Sequence, residues 1–320
     1  MMLKDTLSNL LTMQRLSKLK VMLCFCLLVG ANNVMAQQEP MFSQYMFNLS
    51  HINPAYVGNR ATNNITALFR KQWLGIEGAP TTGSLSWDTR KDESNIGYGL
   101  EIYTDKLGIE STTGVQAFYS YRIAMKSSTL AFGLSAGVLN YKAAFSQVGT
   151  VQGGDPVFQE DVNGILPTVG LGILYSTDHW YAGLSSPALL ETKINSHNTQ
   201  VTKSANNHYF LTGGYIFELS DVLKVKPSVL LKAVKGAPLE YDFNINAWIQ
   251  NSVGLGVSYR TNDALIGMFE LQVSPMLRIG YAYDYTISRL KTFSKGTHEL
   301  MLRYEFNNDR NKRVLSPRYY

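Results

Sequence analysis

Cysteine is nearly missing from this chain: 320 residues hold two, Cys24 and Cys26. Both lie in "VMLCFCLLVG" (21–30), so the rest of the chain has no disulfide framework, no Cys-based metal site and no thiol nucleophile. Long apolar runs are missing too, since that ten-residue stretch falls well short of the ~20 residues a spanning helix needs. Histidine is scarce. His51, His179, His197, His208 and His298 form no H-E-x-x-H or comparable ligand pair. Charge of one sign is lacking as well, once the start of the chain is set apart. Residues 1–36 carry four of the 29 basic and one of the 24 acidic residues, leaving 25 against 23. The basic pI therefore gives no support to nucleic-acid binding.

Residues 1–36 read as a secretory leader. Lys4, Arg15, Lys18 and Lys20 precede the apolar core, and "VMA" (34–36) offers a cleavage site before Gln37. A lipoprotein signal is the rival reading, but Leu23 and Phe25, ahead of the two cysteines, are bulky where a small residue is wanted. The chain is 45% hydrophobic and rich in tyrosine, yet residues 37–320 contain no stretch that reads as a spanning helix. Outer-membrane barrels combine these properties.

Periodicity carries the fold. In "LRIGYAYDYTI" (277–287), Leu277, Ile279, Tyr281, Tyr283, Tyr285 and Ile287 share one face. Arg278, Gly280, Ala282, Asp284 and Thr286 share the other, a strict period of two over the length of a tilted membrane strand. "LEYDFNINAWI" (239–249), "IGYGLEI" (96–102), "VQAFYSYRI" (115–123) and "VGLGVSYR" (253–260) repeat it. The apolar face bears tyrosines at strand ends, as bilayer girdles do. The opposite face bears glycine and charges of both signs: Glu101, Arg122, Asp242, Arg260, Arg278, Glu299 and Arg303. A barrel lumen accommodates such a face, whereas a soluble sandwich would turn the apolar face inward.

The pattern predicts a 14-stranded up-and-down transmembrane outer-membrane β-barrel over residues 63–306. Strands are expected near 65–73, 82–90, 96–105, 112–124, 129–142, 167–177, 179–186, 207–218, 223–234, 239–250, 253–261, 264–273, 276–287 and 297–306. Pro227 weakens the ninth unless it lies at a start or a bulge. Short polar turns ("KDES", "KSS", "TD", "LSD", "QNS") alternate with connections that include every long one, 142–166, 187–206 and 288–296. Short periplasmic turns and long external loops give this asymmetry, which places both termini in the periplasm.

Two flanks frame the barrel. Residues 37–62 form a periplasmic N-terminal segment. Within "MFSQYMFNLSHINPAYVG" (41–58), Met41, Phe42, Tyr45, Met46 and Leu49 are spaced for one face of a short helix, and "HINPAY" forces an extended turn. Such a segment needs apolar surface to cover, and the lumen or the barrel rim offers it. Phe42, Tyr45, Met46, Phe47, Asn53, Pro54 and Tyr56 are the candidates for partner binding or for plugging the barrel. At the other flank, Tyr304 and Phe306 alternate in the last strand as a candidate assembly signal. Residues 307–320 are a basic periplasmic tail whose Arg318 is a further partner candidate.

These flanks carry a resemblance. "FSQYMFNLSHINPAYVGNR", followed by "ALFRKQWLGIEGAPTT", resembles the opening of the PorP/SprF family of type IX secretion membrane proteins from Bacteroidetes. "KGTHELMLRYEF" and the ending "SPRYY" are similar to that family's closing strand and tail. Asn48-Leu49 stands where family members commonly read Asn-Pro; Asn53-Pro54-Ala55-Tyr56 matches. The resemblance implies an outer-membrane barrel that assists secretion or holds a secreted protein at the surface. Its implied partners are a type IX cargo or an adhesin with a type B C-terminal domain, the secretion components, and an OmpA-like peptidoglycan-binding protein.

Other chemistry is thin. Ser204, Asn207 and His208 are consecutive near one strand end rather than set across two strands, so no catalytic residue is assigned. Asp155, Glu160 and Asp161 bunch in "GGDPVFQEDVNG" without EF-hand spacing, and no cofactor or metal is expected. Gly170-x-Gly172 and Gly254-x-Gly256 read as small lumen-facing residues that let another segment approach. A non-catalytic secretion or anchoring barrel thus stands against two alternatives, a passive porin and a hydrophobic-solute transporter.

Overall fold

The computed structural model describes residues 41–60, 62–90, 94–148, 160–190, 193–194, 203–204, 207–234 and 237–306. All but Ala237 and Pro238 belong to one compact unit. The expected leader and the basic tail, with Arg318, lie outside the described residues.

Among the described residues, seventeen strands follow one another: β1 Asn63–Lys71, β2 Thr81–Arg90, β3 Ile96–Leu107, β4 Glu110–Ala124, β5 Thr129–Ala143, β6 Val162–Ser176, β7 Trp180–Ser186, β8 Lys193–Ile194, β9 Lys203–Ser204, β10 His208–Tyr215, β11 Phe217–Glu218, β12 Leu223–Val234, β13 Glu240–Ile249, β14 Val253–Arg260, β15 Ala264–Gln272, β16 Leu277–Thr286 and β17 Thr297–Phe306. All but β8, β9 and β11 form a closed antiparallel barrel of fourteen. Closure comes from β1 against β17, with Asn63 opposite Phe306 and Lys71 opposite His298. The barrel has two unlike mouths. At the turn mouth, where β1 begins and β17 ends, connections are short (91–95, 125–128, 177–179, 219–222, 250–252, 273–276). The loop mouth carries 72–80, 144–161, 187–207 and 287–296 along with three shorter links.

Alternation becomes two chemically distinct surfaces. Along β16, Arg278, Gly280, Ala282, Asp284 and Thr286 are buried, while Ile279, Tyr281 and Tyr285 face out. Leu85, Leu100, Ile102, Leu134, Phe243, Val257 and Leu302 are about half exposed on the outer wall, where a bilayer would solvate them. Aromatic pairs gather at the turn mouth: Tyr175–Trp180 at 5.1 Å, Tyr215–Phe217 at 4.5 Å and Tyr304–Phe306 at 5.6 Å. Every inward charge named from the sequence is buried.

Three details differ from the sequence expectation. First, β6 begins at Val162 rather than near 167, and 187–206 is not bare loop, because β8 and β9 pair within it. Second, the strand expected over 207–218 is split. Gly214 pairs Ser228 and Phe217 pairs Val225, while the ladder lapses opposite Pro227, which has no N–H to donate. On its other side Pro227 keeps register with Ile245. Proline therefore interrupts one ladder and leaves its own strand whole. Third, residues 41–58 hold no α-helix. Three 3-10 turns, Tyr45–Phe47, Leu49–His51 and Pro54–Tyr56, replace it. One-sided burial is what selects an amphipathic helix. Here Ser43, Gln44, Asn48 and Asn53 are buried along with the apolar residues, so the segment has no solvent face.

Candidate functional site

Residues 42–60 lie against the inward faces of the barrel strands, and their contacts define the site. The apolar part is a cluster in which Phe42, Tyr45, Met46, Leu49, Ile52, Ala55 and Tyr56 pack with Leu68, Leu174, Phe210, Leu230, Ile266 and Met301 from the wall. A second apolar cluster, Leu139, Tyr141, Ala143, Val162 and Leu166, lies on β5 and β6; elsewhere polar residues of the wall hold the segment through hydrogen bonds and ions.

The strongest grip is on its first residues. Glu299 on β17 accepts the backbone N–H of Ser43 at 2.7 Å and of Gln44 at 2.8 Å. Arg70 on β1, 1% exposed, donates to Glu299 at 3.0 Å, to Asp284 at 2.7 Å and to the Ser43 hydroxyl at 2.7 Å. That hydroxyl in turn donates to Asp284 at 2.7 Å. Charge-assisted bonds of this kind are roughly twice as strong as neutral ones. Strict alternation places Arg70 directly opposite Glu299 in the ladder, both turned inward. Beside them, Arg260 is paired with Asp242 at 2.9 Å and reaches the Phe42 carbonyl at 3.5 Å.

Further along, the wall meets the segment residue by residue. The Tyr45 hydroxyl accepts from Asn244 at 2.6 Å, and the Met46 sulfur accepts from Asn246 at 3.1 Å. Phe47, half-buried, lies under the Arg303 guanidinium at 5.7 Å. Glu101 takes His51 Nδ1 at 3.0 Å, and Asn48 at 3.5 Å. Asn53, fully buried, caps the third turn by accepting Ala55 N–H at 2.9 Å and donates to the Ile173 carbonyl at 3.1 Å. Pro54 starts that turn with its fixed φ, and Tyr56 meets Tyr181 edge-on at 6.0 Å. Arg122 donates to the carbonyls of Ala55, Tyr56 and Val57, and Ser120 joins it on Val57 at 2.7 Å. Asp88 accepts Gly58 N–H at 3.0 Å, and Arg60 pairs with Glu305.

Glycine makes the close approach possible. A Cβ at Gly133 would fall on the Pro54–Ala55 peptide, and one at Gly172 on the Asn53 amide. Of the other paired glycines, Gly170 abuts Ser135 and Pro187, while Gly254 and Gly256 abut the β13 side chains Trp248 and Asn246. Between segment and wall at the turn mouth is a cavity of about 30 Å³, lined by Phe47, Asn59, Arg60, Asn64 and Asp88 among others. That is room for water rather than for a solute.

The structure thus brings Phe42, Tyr45, Met46, Phe47, Asn53, Pro54 and Tyr56 together inside the barrel, while Tyr304 and Phe306 lie at the turn mouth. Ser43, Gln44 and Arg70 stand within the two stretches that carry the resemblance without being singled out there, and Asp284, Asn244, Asn246 and Asp88 belong to no such stretch. For the wall residues among them, the inward register of their strands is the available signal. Elsewhere, His208 stacks on Phe210 at 6.2 Å. Asp161 accepts the backbone N–H of Ser146, which lowers its carboxyl from the ordinary value. Asp155 and the Ser204 side chain fall outside the described residues. The described residues hold no group of three or more His, Cys, Asp or Glu suited to a metal.

Comparison with known proteins gives two kinds of match. A family model described as "Type IX secretion system membrane protein PorP/SprF" matches residues 34–304. Among solved structures, the CymD monoaromatic hydrocarbon channel superposes with a TM-score of 0.50 at 12% identity, covering 86% of this chain and 95% of that one. The Ralstonia pickettii toluene transporter TbuX gives 0.50 at 12% identity, with 87% and 96% covered. At such identity the likeness is one of fold. No curated protein matches the sequence.

Proposed function

Because the chain belongs to the PorP/SprF family of type IX secretion system membrane proteins, we propose that it is a sealed, non-catalytic outer-membrane barrel that holds a secreted protein during or after export. The observation that supports this reading is the contact of residues 42–60 with the inward face of the wall, to which each turn of the segment is bonded. A segment held in this way suits a binding platform rather than a conduit. The segment acts as a plug, and Phe42, Tyr45, Met46, Phe47, Asn53, Pro54 and Tyr56 serve to seal the barrel. The loop mouth faces the exterior and docks the cargo, such as an adhesin's type B C-terminal domain, through 144–161 and 187–207. The turn mouth and the tail beyond Phe306, with Arg318, face the periplasm. There they meet the secretion components and an OmpA-like peptidoglycan-binding protein.

The fold shared with hydrocarbon channels favours a second reading, a hydrophobic-solute transporter. Such a path needs apolar walls. This inner wall instead carries Arg70, Glu101, Arg122, Asp242, Glu299 and Arg303, engaged with the segment, with one another or with neighbouring polar groups. Mild-detergent purification of the tagged barrel from its native host separates the readings. Recovery of a secreted protein through its C-terminal domain, identified by mass spectrometry, is the expected outcome. Barrel recovered alone, together with uptake of a small hydrocarbon, would favour transport.

A further inference from the structure

Counting strands puts the chain's N-terminal flank on the same side as its C-terminal one, since an even number of crossings separates them. The lumen contacts point elsewhere. Arg60 pairs with Glu305, next to the last residue of β17, whereas Ser43 and Gln44 bind Glu299, the third residue of the same strand. Six residue steps along the strand separate the two anchors, about 20 Å at ~3.3 Å per residue.

Other contacts agree. Gly58 is held by Asp88, near the turn-mouth end of β2, and a Cβ at Gly97, the second residue of β3, would meet the Val57 carbonyl at 2.5 Å. Phe42, in contrast, is reached by Arg260, the last residue of β14, which also pairs with Asp263 in the link beyond it at the loop mouth. Between the ends the path folds back once. Tyr45, Met46 and Phe47 descend past Asn244, Asn246 and Arg303, His51 returns to the level of Glu101 and Tyr103, and Asn53 to Arg60 descend again.

We infer that residues 42–60 span the lumen from one mouth to the other, so that the chain preceding Met41 leaves the barrel at the loop mouth, opposite to the chain following Phe306. With the loop mouth facing outward, as in the function proposed above, that exit lies on the outer side of the membrane.

The test uses the full-length barrel in intact cells of its native host and a membrane-impermeant maleimide. The only native cysteines are Cys24 and Cys26, so the unsubstituted chain serves as the blank. Three single variants are compared: Gln38→Cys, Asn262→Cys at the loop mouth and Ser127→Cys at the turn mouth. Gln38→Cys is expected to label on intact cells as readily as Asn262→Cys, while Ser127→Cys labels only after the outer membrane is opened. Gln38→Cys behaving like Ser127→Cys, or staying unlabelled even in opened cells, would overturn the inference. Exchange of the two control patterns would instead mean that the barrel's orientation is reversed. The question of which control Gln38→Cys follows would keep its answer.

Discussion

Deleting residues 41–58 is expected to turn a closed barrel into an open one. The fourteen-strand ladder closes through β1 and β17 without any hydrogen bond from this segment, so the wall keeps its own pairing. On the plugged arrangement proposed above, what is lost is the filling. Barrels of eight strands are filled by their own side chains, while those of 16–18 leave an aqueous channel. A wall of fourteen lies near the porin class, and its inner face is polar enough to hydrate. Cells carrying the deletion should become sensitive to bulky antibiotics that an intact outer membrane excludes. The heat-modifiable gel band of a folded barrel serves as the control for assembly. Unchanged sensitivity with a folded band would mean that the wall itself, not the segment, closes the lumen.

The second large effect is expected at Arg70. Its guanidinium is 1% exposed and lies between Asp284 and Glu299, the latter fully buried. Arg70→Ala leaves two carboxylates facing one another without their counter-ion. Breaking a buried ion pair by removing one partner costs about 3–5 kcal/mol. Loss should appear as a lower urea midpoint in detergent, with an unchanged slope if the folded state keeps its compactness. Adding Glu299→Gln to Arg70→Ala should recover part of that loss, because neighbours in one network are not additive. A midpoint shift equal to the sum of the two single changes would show that the pair is not coupled.

The wall is legible in the sequence because its signal is local and repeated. Tyr281, Tyr283 and Tyr285 against Arg278, Ala282 and Asp284 state both faces of β16 within ten residues, and closure requires only that β1 and β17 alternate in the same way. Even Pro227 stands out in the sequence, although its effect falls on the β10 ladder rather than on its own strand. The segment is legible in composition and misleading in shape. Phe42, Tyr45, Met46 and Leu49 have helical spacing, but that spacing selects a helix only where one face meets water. Here Glu299 takes the backbone N–H groups of Ser43 and Gln44, and Arg122 takes the carbonyls of Ala55 to Val57. Bonds that a helix would make internally go to the wall instead. No local window contains that information, since Ser43 and Glu299 stand 256 residues apart. Gly133 is silent in the sequence for the same reason, since its need for a missing Cβ comes from a segment far away in the chain, whereas Gly172 is marked by its Gly-x-Gly pair as a place of close approach.

A barrel that binds and does not conduct, as proposed above, is tested most directly by the current through single full-length molecules in a planar bilayer. Insertion with no steady conductance, verified by recovery of folded protein from the membrane, is the predicted result. A stable open-channel current from the intact chain would contradict it and return the barrel to the porins.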